Sequence, residues 1–176
     1  TLRAPVYGTD AGFVDAAAGA ATLTAGSHNQ VVGAITAQTS AAINSLKISG
    51  ANDLTLDAAQ TLTVGTGTLG AGILLTGGSS TISGGTAIAA SAAGNDFAVR
   101  VDGANTLTIN TPMTVSTAGL SKSGAGTLIL GGANTYSGTV NVNEGILQMA
   151  TGGLLGATNI SLNVRHGATF DLNGTS

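Results

Sequence analysis

Residues 119–148 read GLSKSGAGTLILGGANTYSGTVNVNEGILQ. Within this stretch residues 140–142, and the run that begins at 146, alternate apolar with polar side chains at period two, the pattern of a strand with one buried face, and 128–130 is a short apolar run of the same length. Glycine and asparagine stand between the runs, residues that tolerate the backbone angles of tight turns. The runs are three to four residues long, too short for a helix and too closely spaced for long hairpins.

The same text continues outward in both directions. Residues 46–48, 54–56, 62–64, 73–75, 81–83, 87–89, 97–101, 107–109 and 113–115 read as short strands, and after the quoted stretch so do 160–162 and 169–172. No segment shows sustained helical periodicity. A smaller unit recurs as Gly50-Ala51-Asn52, Gly103-Ala104-Asn105 and Gly132-Ala133-Asn134. Its uneven spacing is that of a degenerate solenoid, with turns of roughly 18–25 residues and seven to nine turns in all. At about 4.8 Å per turn that is a rod about 40 Å long.

Composition points the same way. Only 7% of the 176 residues are charged and 3% are aromatic, while 28 are glycine. A globule of this size needs bulky side chains at its centre; a narrow β-solenoid is filled by Ala, Val, Ile, Leu and Thr. A hydrophobic fraction of 43% and a mean hydropathy of +0.37 argue against disorder. The net charge of −3, with five scattered basic residues, provides no footprint for nucleic acid. With no cysteine there are no disulfides and no thiolate chemistry. No run approaches the eighteen or so apolar residues of a spanning helix, and the chain reads as a mature or excised piece of something longer.

Residues 119–148 closely resemble the passenger-associated transport repeat, or autotransporter-associated β-strand repeat, of large bacterial surface and secreted proteins. The matching positions are Gly119, Leu120, Lys122, Gly124, Gly126, Thr127, Leu128, Leu130, Asn134, Tyr136, Gly138, Gly145 and Leu147. Thr139 departs from the family's frequent second glycine. The resemblance implies an all-β, right-handed parallel β-helix (a β-solenoid) with three short strands per rung, exported through an outer membrane to the cell surface or beyond. It implies a structural role (stalk, fibre or passenger), with stacking that aids folding outside the cell. The partners expected are neighbouring rungs of a longer chain or other copies of itself, joined end to end. The alternative is an adhesin-type binding module for glycans or host surfaces. The expected organisation is an irregular lead-in or first rungs over 1–42 and the β-helix over 43–176.

Candidate catalytic groups do not assemble in the text. Asp96, Arg100 and Asp102 are the tight acid-base group, and spacing two makes Arg100 and Asp102 an outward ion pair. Asp53 and Asp57 bracket a strand and read as turn residues. His28 and His166 stand far apart, with His166 in a turn. The calcium-binding nonapeptide is absent, because Gly77-Gly78 and Gly84-Gly85 lack the aspartates it needs. No cofactor, metal or catalytic residue is expected. Asn52, Asn105 and Asn134 are read as turn residues near the left-handed region, stacked as a ladder. Lys122 either pairs with an acid on the next rung or solvates a turn. Tyr136 packs within the rung or rests at a turn.

Overall fold

The computed structural model describes residues 3–66, 70–90, 96–114 and 119–173. After β1 (Phe13–Ala16), the chain winds through four turns of three strands each. These are β2 (His28–Val31), β3 (Ile35–Gln38) and β4 (Ala41–Ile43); then β5 (Ser45–Ser49), β6 (Leu54–Leu56) and β7 (Thr61–Val64). The third turn holds β8 (Gly72–Thr76), β9 (Ser80–Gly84) and β10 (Ala87–Ala90); the fourth holds β11 (Phe97–Val101), β12 (Thr106–Ile109) and β13 (Met113–Thr114). Three turns follow with two strands each: β14 (Leu120–Ser123) and β15 (Thr127–Leu130), β16 (Val140–Val142) and β17 (Ile146–Met149), β18 (Leu162–Val164) and β19 (Thr169–Asp171).

Like strands stack on like. The first side is an eight-stranded sheet, β1-β2-β5-β8-β11-β14-β16-β18, the second a seven-stranded sheet and the third a four-stranded one. Every strand pairing is parallel. The molecule is a parallel β-helix. Eight strands at a spacing of about 4.8 Å give the first side a length of about 34 Å. Residues 1–42 hold β1 to β3 and the start of β4, which pair into the same three sheets.

Register explains the apolar alternation. Leu46, Ile73 and Val99 lie in one inward column of the first sheet. Leu54, Ile82, Ile109, Leu130 and Met149 form another in the second. These side chains are at most 2% exposed. Each one buried contributes about 1.5–3 kcal/mol, so narrow stacks of small aliphatics suffice without aromatic bulk.

Three strands per rung hold for the four turns from β2 to β13 and not beyond. The third side of the next turn, residues 131–138, carries no strand, only an isolated parallel bridge from Ala133 to Leu154. Pro112 on the rung below lacks an N–H, and a Cβ on Gly132 would lie 2.8 Å from Pro112 Cα. The expected strand 113–115 is seen as Met113–Thr114, because Val115 lies outside the described residues.

Corners also repeat. Between the first and second sides stand Gly50, Gly77, Gly103, Gly124, Gly145 and Gly167, all at positive φ between 64° and 83°. At each of these six corners a left-handed residue bends the chain, and glycine adopts it without a Cβ penalty.

Candidate functional site: the repeat turn and its buried lysine

The stretch that resembles the repeat forms β14 to β17 and the corners between them. Its glycines sit where rungs touch. A Cβ on Gly124 would fall 2.3 Å from the Val101 carbonyl oxygen, and one on Gly145 2.4 Å from that of Gly126. Leu120, Leu128, Leu130 and Leu147 point inward and are fully buried. Thr127 is half-buried on the strand, pairing in register with Thr106 and Ile146. Gly119 passes against Thr139, where a Cβ would meet the carbonyl oxygen at 1.9 Å. Gly138 precedes β16 and is half-buried.

Lys122 occupies the core. It takes the inward column between Val99 and Val142 and is 0% exposed. Its Nζ donates to the carbonyl oxygens of Ser123 (3.0 Å), Gly124 (2.7 Å) and Glu144 (3.0 Å). Three donors thus meet three acceptors, which makes burial of an ammonium tolerable. The Glu144 carboxylate does not take the ammonium; its Oε2 accepts from the Gly124 N–H at 3.1 Å. Burial lowers the Lys122 pKa to about 8, with Glu144 opposing the shift and Arg100 adding to it. Neither expected role, ion pair or solvated turn, describes this cage. Lys122 fastens the corners of two successive rungs.

The three Gly-Ala-Asn copies separate into two kinds. Asn52 Nδ2 donates to Ser49 O (2.6 Å), and Asn105 Nδ2 donates to Asp102 O (2.5 Å). Both stand two residues after the left-handed glycine of the first corner, and neither has positive φ itself. Asn134 lies elsewhere, buried on the third side. Its Oδ1 accepts from the Met113 N–H (2.9 Å), and its Nδ2 donates to Leu154 O (2.7 Å). One side chain therefore ties three rungs together where the backbone ladder is missing.

Tyr136 is also inside, 0% exposed, with Gly156 close against its ring. Among the described residues its hydroxyl has no hydrogen-bond partner. Burial pushes its pKa far up, so the phenol stays neutral in the folded chain. The sign follows directly: an unfolded tyrosine ionises near pH 10, and stability from this group is lost as pH rises beyond that value. Tyr136→Phe removes the unpartnered hydroxyl, with an expected gain of about 1 kcal/mol. Urea melts on either side of pH 10 check this, and the variant's decline above pH 10 is expected to be shallower.

The remaining polar groups disperse. Arg100 Nε meets Asp102 Oδ1 at 2.7 Å on the surface, the outward pair that the spacing indicates. Asp96 leaves that group and accepts instead from the Gly119 N–H (3.2 Å) and Ser121 Oγ (3.3 Å). Asp53 accepts from the Thr81 N–H (2.7 Å), and Asp57 accepts from the Ala58 N–H (2.8 Å). Asp10 pairs with Arg3, Asp15 accepts from Gln30, and Asp171 accepts from Gln148. Among the described residues no three potential metal ligands cluster. His28 Nδ1 lies 2.8 Å from Ser45 Oγ, but its ring is stacked on Phe13. His166 is exposed in the corner before β19. Among the described residues no helix is long and apolar enough to cross a membrane.

Four buried polar residues, Asn29, Gln38, Ser80 and Thr111, lie outside the sequence reading. Asn29 is fully buried and bonds to Thr24 and Ser27, and Gln38 accepts from the Leu23 N–H at 3.0 Å. Asn29 alternates with Val31, a parity that places it inward, whereas Gln38 follows the buried Ile35 by three residues across a register shift and carries no such signal.

Comparison with known proteins agrees with this geometry. The family described as Passenger-associated-transport-repeat matches residues 120–149. A stretch of 73 residues, 42% of the chain, is 40% identical to the adhesin BmaC autotransporter of Brucella suis biovar 1 (strain 1330). The chain spans only 2% of that protein's length. No solved structure gives a significant match. The chain is thus a parallel β-solenoid carrying a passenger-associated transport repeat, a segment of an exported cell-surface protein.

Proposed function

We propose that this segment is a non-catalytic structural stretch of a bacterial surface passenger, whose rungs serve as templates for further rungs. One observation carries the reading. Leu162 and Val164 stand in register with the fully buried Val140 and Val142, yet are 37% and 43% exposed. They belong to the inward columns and face along the axis. The edges of β18 and β19 offer open backbone groups beside them, the surface on which a parallel strand adds. In a longer chain each new rung settles on the last, and stacking energy accumulates outside the cell. The same surface supports head-to-tail stacking of separate copies, a heterologous contact that does not close.

Sedimentation of the 176-residue chain over a concentration series tests the stacking. Species growing in length with concentration are expected, and Leu162→Lys with Val164→Lys is expected to hold the chain monomeric. A monomer at every concentration would remove the filament reading and leave the stalk. The adhesin-type reading, a module for glycans or host surfaces, is favoured by a depression on the outer face of the first sheet.

A further inference from the structure

That depression has a volume of about 230 Å³, and its origin is legible in the register. One outward column of the first sheet runs Phe13, His28, Ser45 and then, past β8, Ala98, Ser121 and Asn141. At β8 the position opposite Ala98 is Gly72. The side chains of this column shrink at Gly72 and Ala98, so the sheet surface lies bare there. The neighbouring column carries Lys47, Leu74 and Arg100 on successive strands.

One wall is built separately. Tyr7 comes from the segment before β1, which a clamp holds closed: Arg3 donates to Asp10 at 2.7 and 2.5 Å, and Asp10 also accepts from the Val6 N–H at 2.6 Å. The Tyr7 ring meets Phe13 edge-on at 5.3 Å. Lys47 Nζ stands 5.3 Å from the centroid of the Tyr7 ring. A fixed aromatic, a floor of bare backbone and Leu74, and two cations thus line one depression. Lys47 and Arg100 lie two strand steps apart, about 10 Å, on either side of Leu74. Arg100 spends its Nε on Asp102, and among the described residues Lys47 makes no ion pair with a carboxylate.

We infer that this depression binds one acidic pyranose of a glycan, its apolar ring face on Tyr7 and Leu74 and its carboxylate toward Lys47 and Arg100. The volume falls below the roughly 300–1,000 Å³ of pockets that enclose drug-sized ligands, which limits it to a single ring. Two cations in a chain with five basic residues give the site its charge preference. This assignment rests on the adhesin-type reading and not on the stacking proposed above.

The test is an amide-shift titration of the whole 176-residue chain with sodium glucuronate, glucose and benzoate. Glucuronate is expected to give saturable shifts confined to Tyr7 and strands β5, β8 and β11, with glucose about tenfold weaker. Lys47→Gln, at a surface position, is expected to weaken glucuronate by about tenfold, and Ala98→Leu to abolish its binding by filling the floor. If Ala98→Leu disturbs the spectrum elsewhere, Lys47→Gln alone decides. No saturable shift up to the solubility limit, equal binding of glucose, or an unaffected Lys47→Gln would each overturn the site. Benzoate binding without glucuronate would overturn the sugar assignment.

Discussion

Gly124→Ala is expected to lower stability by about 3 kcal/mol or more, enough to unfold the central rungs at moderate urea. Two costs combine. The φ of +77° puts a side-chain-bearing residue in the left-handed region, at a cost of about 1 kcal/mol. The added Cβ would also sit 2.3 Å from the Val101 carbonyl oxygen and 2.8 Å from its carbon, which are backbone atoms of the rung below. They cannot withdraw without spreading the stack. Gly152→Ala separates the terms. Its φ is +79°, but a Cβ there meets nothing within 4 Å. It is expected to cost only about 1 kcal/mol. Urea midpoints of the two variants check the difference, and equal losses would show that rungs do not press together at this corner.

Lys122→Met carries the other large effect. Methionine keeps the stem's packing between Val99 and Val142 but leaves the carbonyls of Ser123, Gly124 and Glu144 without their shared donor. A loss of about 3 kcal/mol is expected, since hydrogen bonds to a charged group count most and orphaned buried acceptors add a penalty. Lys122→Arg is not a rescue, because a planar fork cannot reach three converging carbonyls from the same column. The pH dependence has a definite sign. The folded pKa, about 8, lies below that of an unfolded lysine. Between the two values the unfolded chain holds more protons, so this group's contribution to stability rises with pH across that window. Thermal melts from pH 7 to about 10 are expected to show that rise in the parent chain and not in Lys122→Met.

These residues show how far the text reaches. The alternating runs were legible because each strand buries one face and the period survives any rung length. The axial neighbours were not. Strand starts at 45, 72, 97, 120 and 140 are unevenly spaced, so no fixed period says which residues stack. The depression beside Tyr7 is invisible for that reason: Ala98 and Gly72 become neighbours only through the register. The Gly-Ala-Asn copies mislead in the same way. At Gly50 and Gly103 the triplet turns a corner, whereas at Gly132 it runs along the third side, where Asn134 takes the Met113 N–H. As sequence, Lys122 reads as an ion pair or a solvated turn although it shares parity with the buried Leu120; only the converging carbonyls of two corners, a three-dimensional fact, explain why a charge is tolerated inside.

A stack of parallel rungs in register fixes the distances along each outward column. The chain has no cysteine, so cysteines introduced for spin labels are unambiguous. Asn163, Asn141 and Ser121 occupy successive strands of the first sheet, and Ser45 lies on a strand further along the same face. Measured from a label at Asn163, dipolar distances are predicted to grow by about 4.8 Å per strand, reaching about 24 Å at Ser45. Distances that do not increase in that order, or a Ser45 label closer to Asn163 than the Ser121 label is, would contradict the β-solenoid.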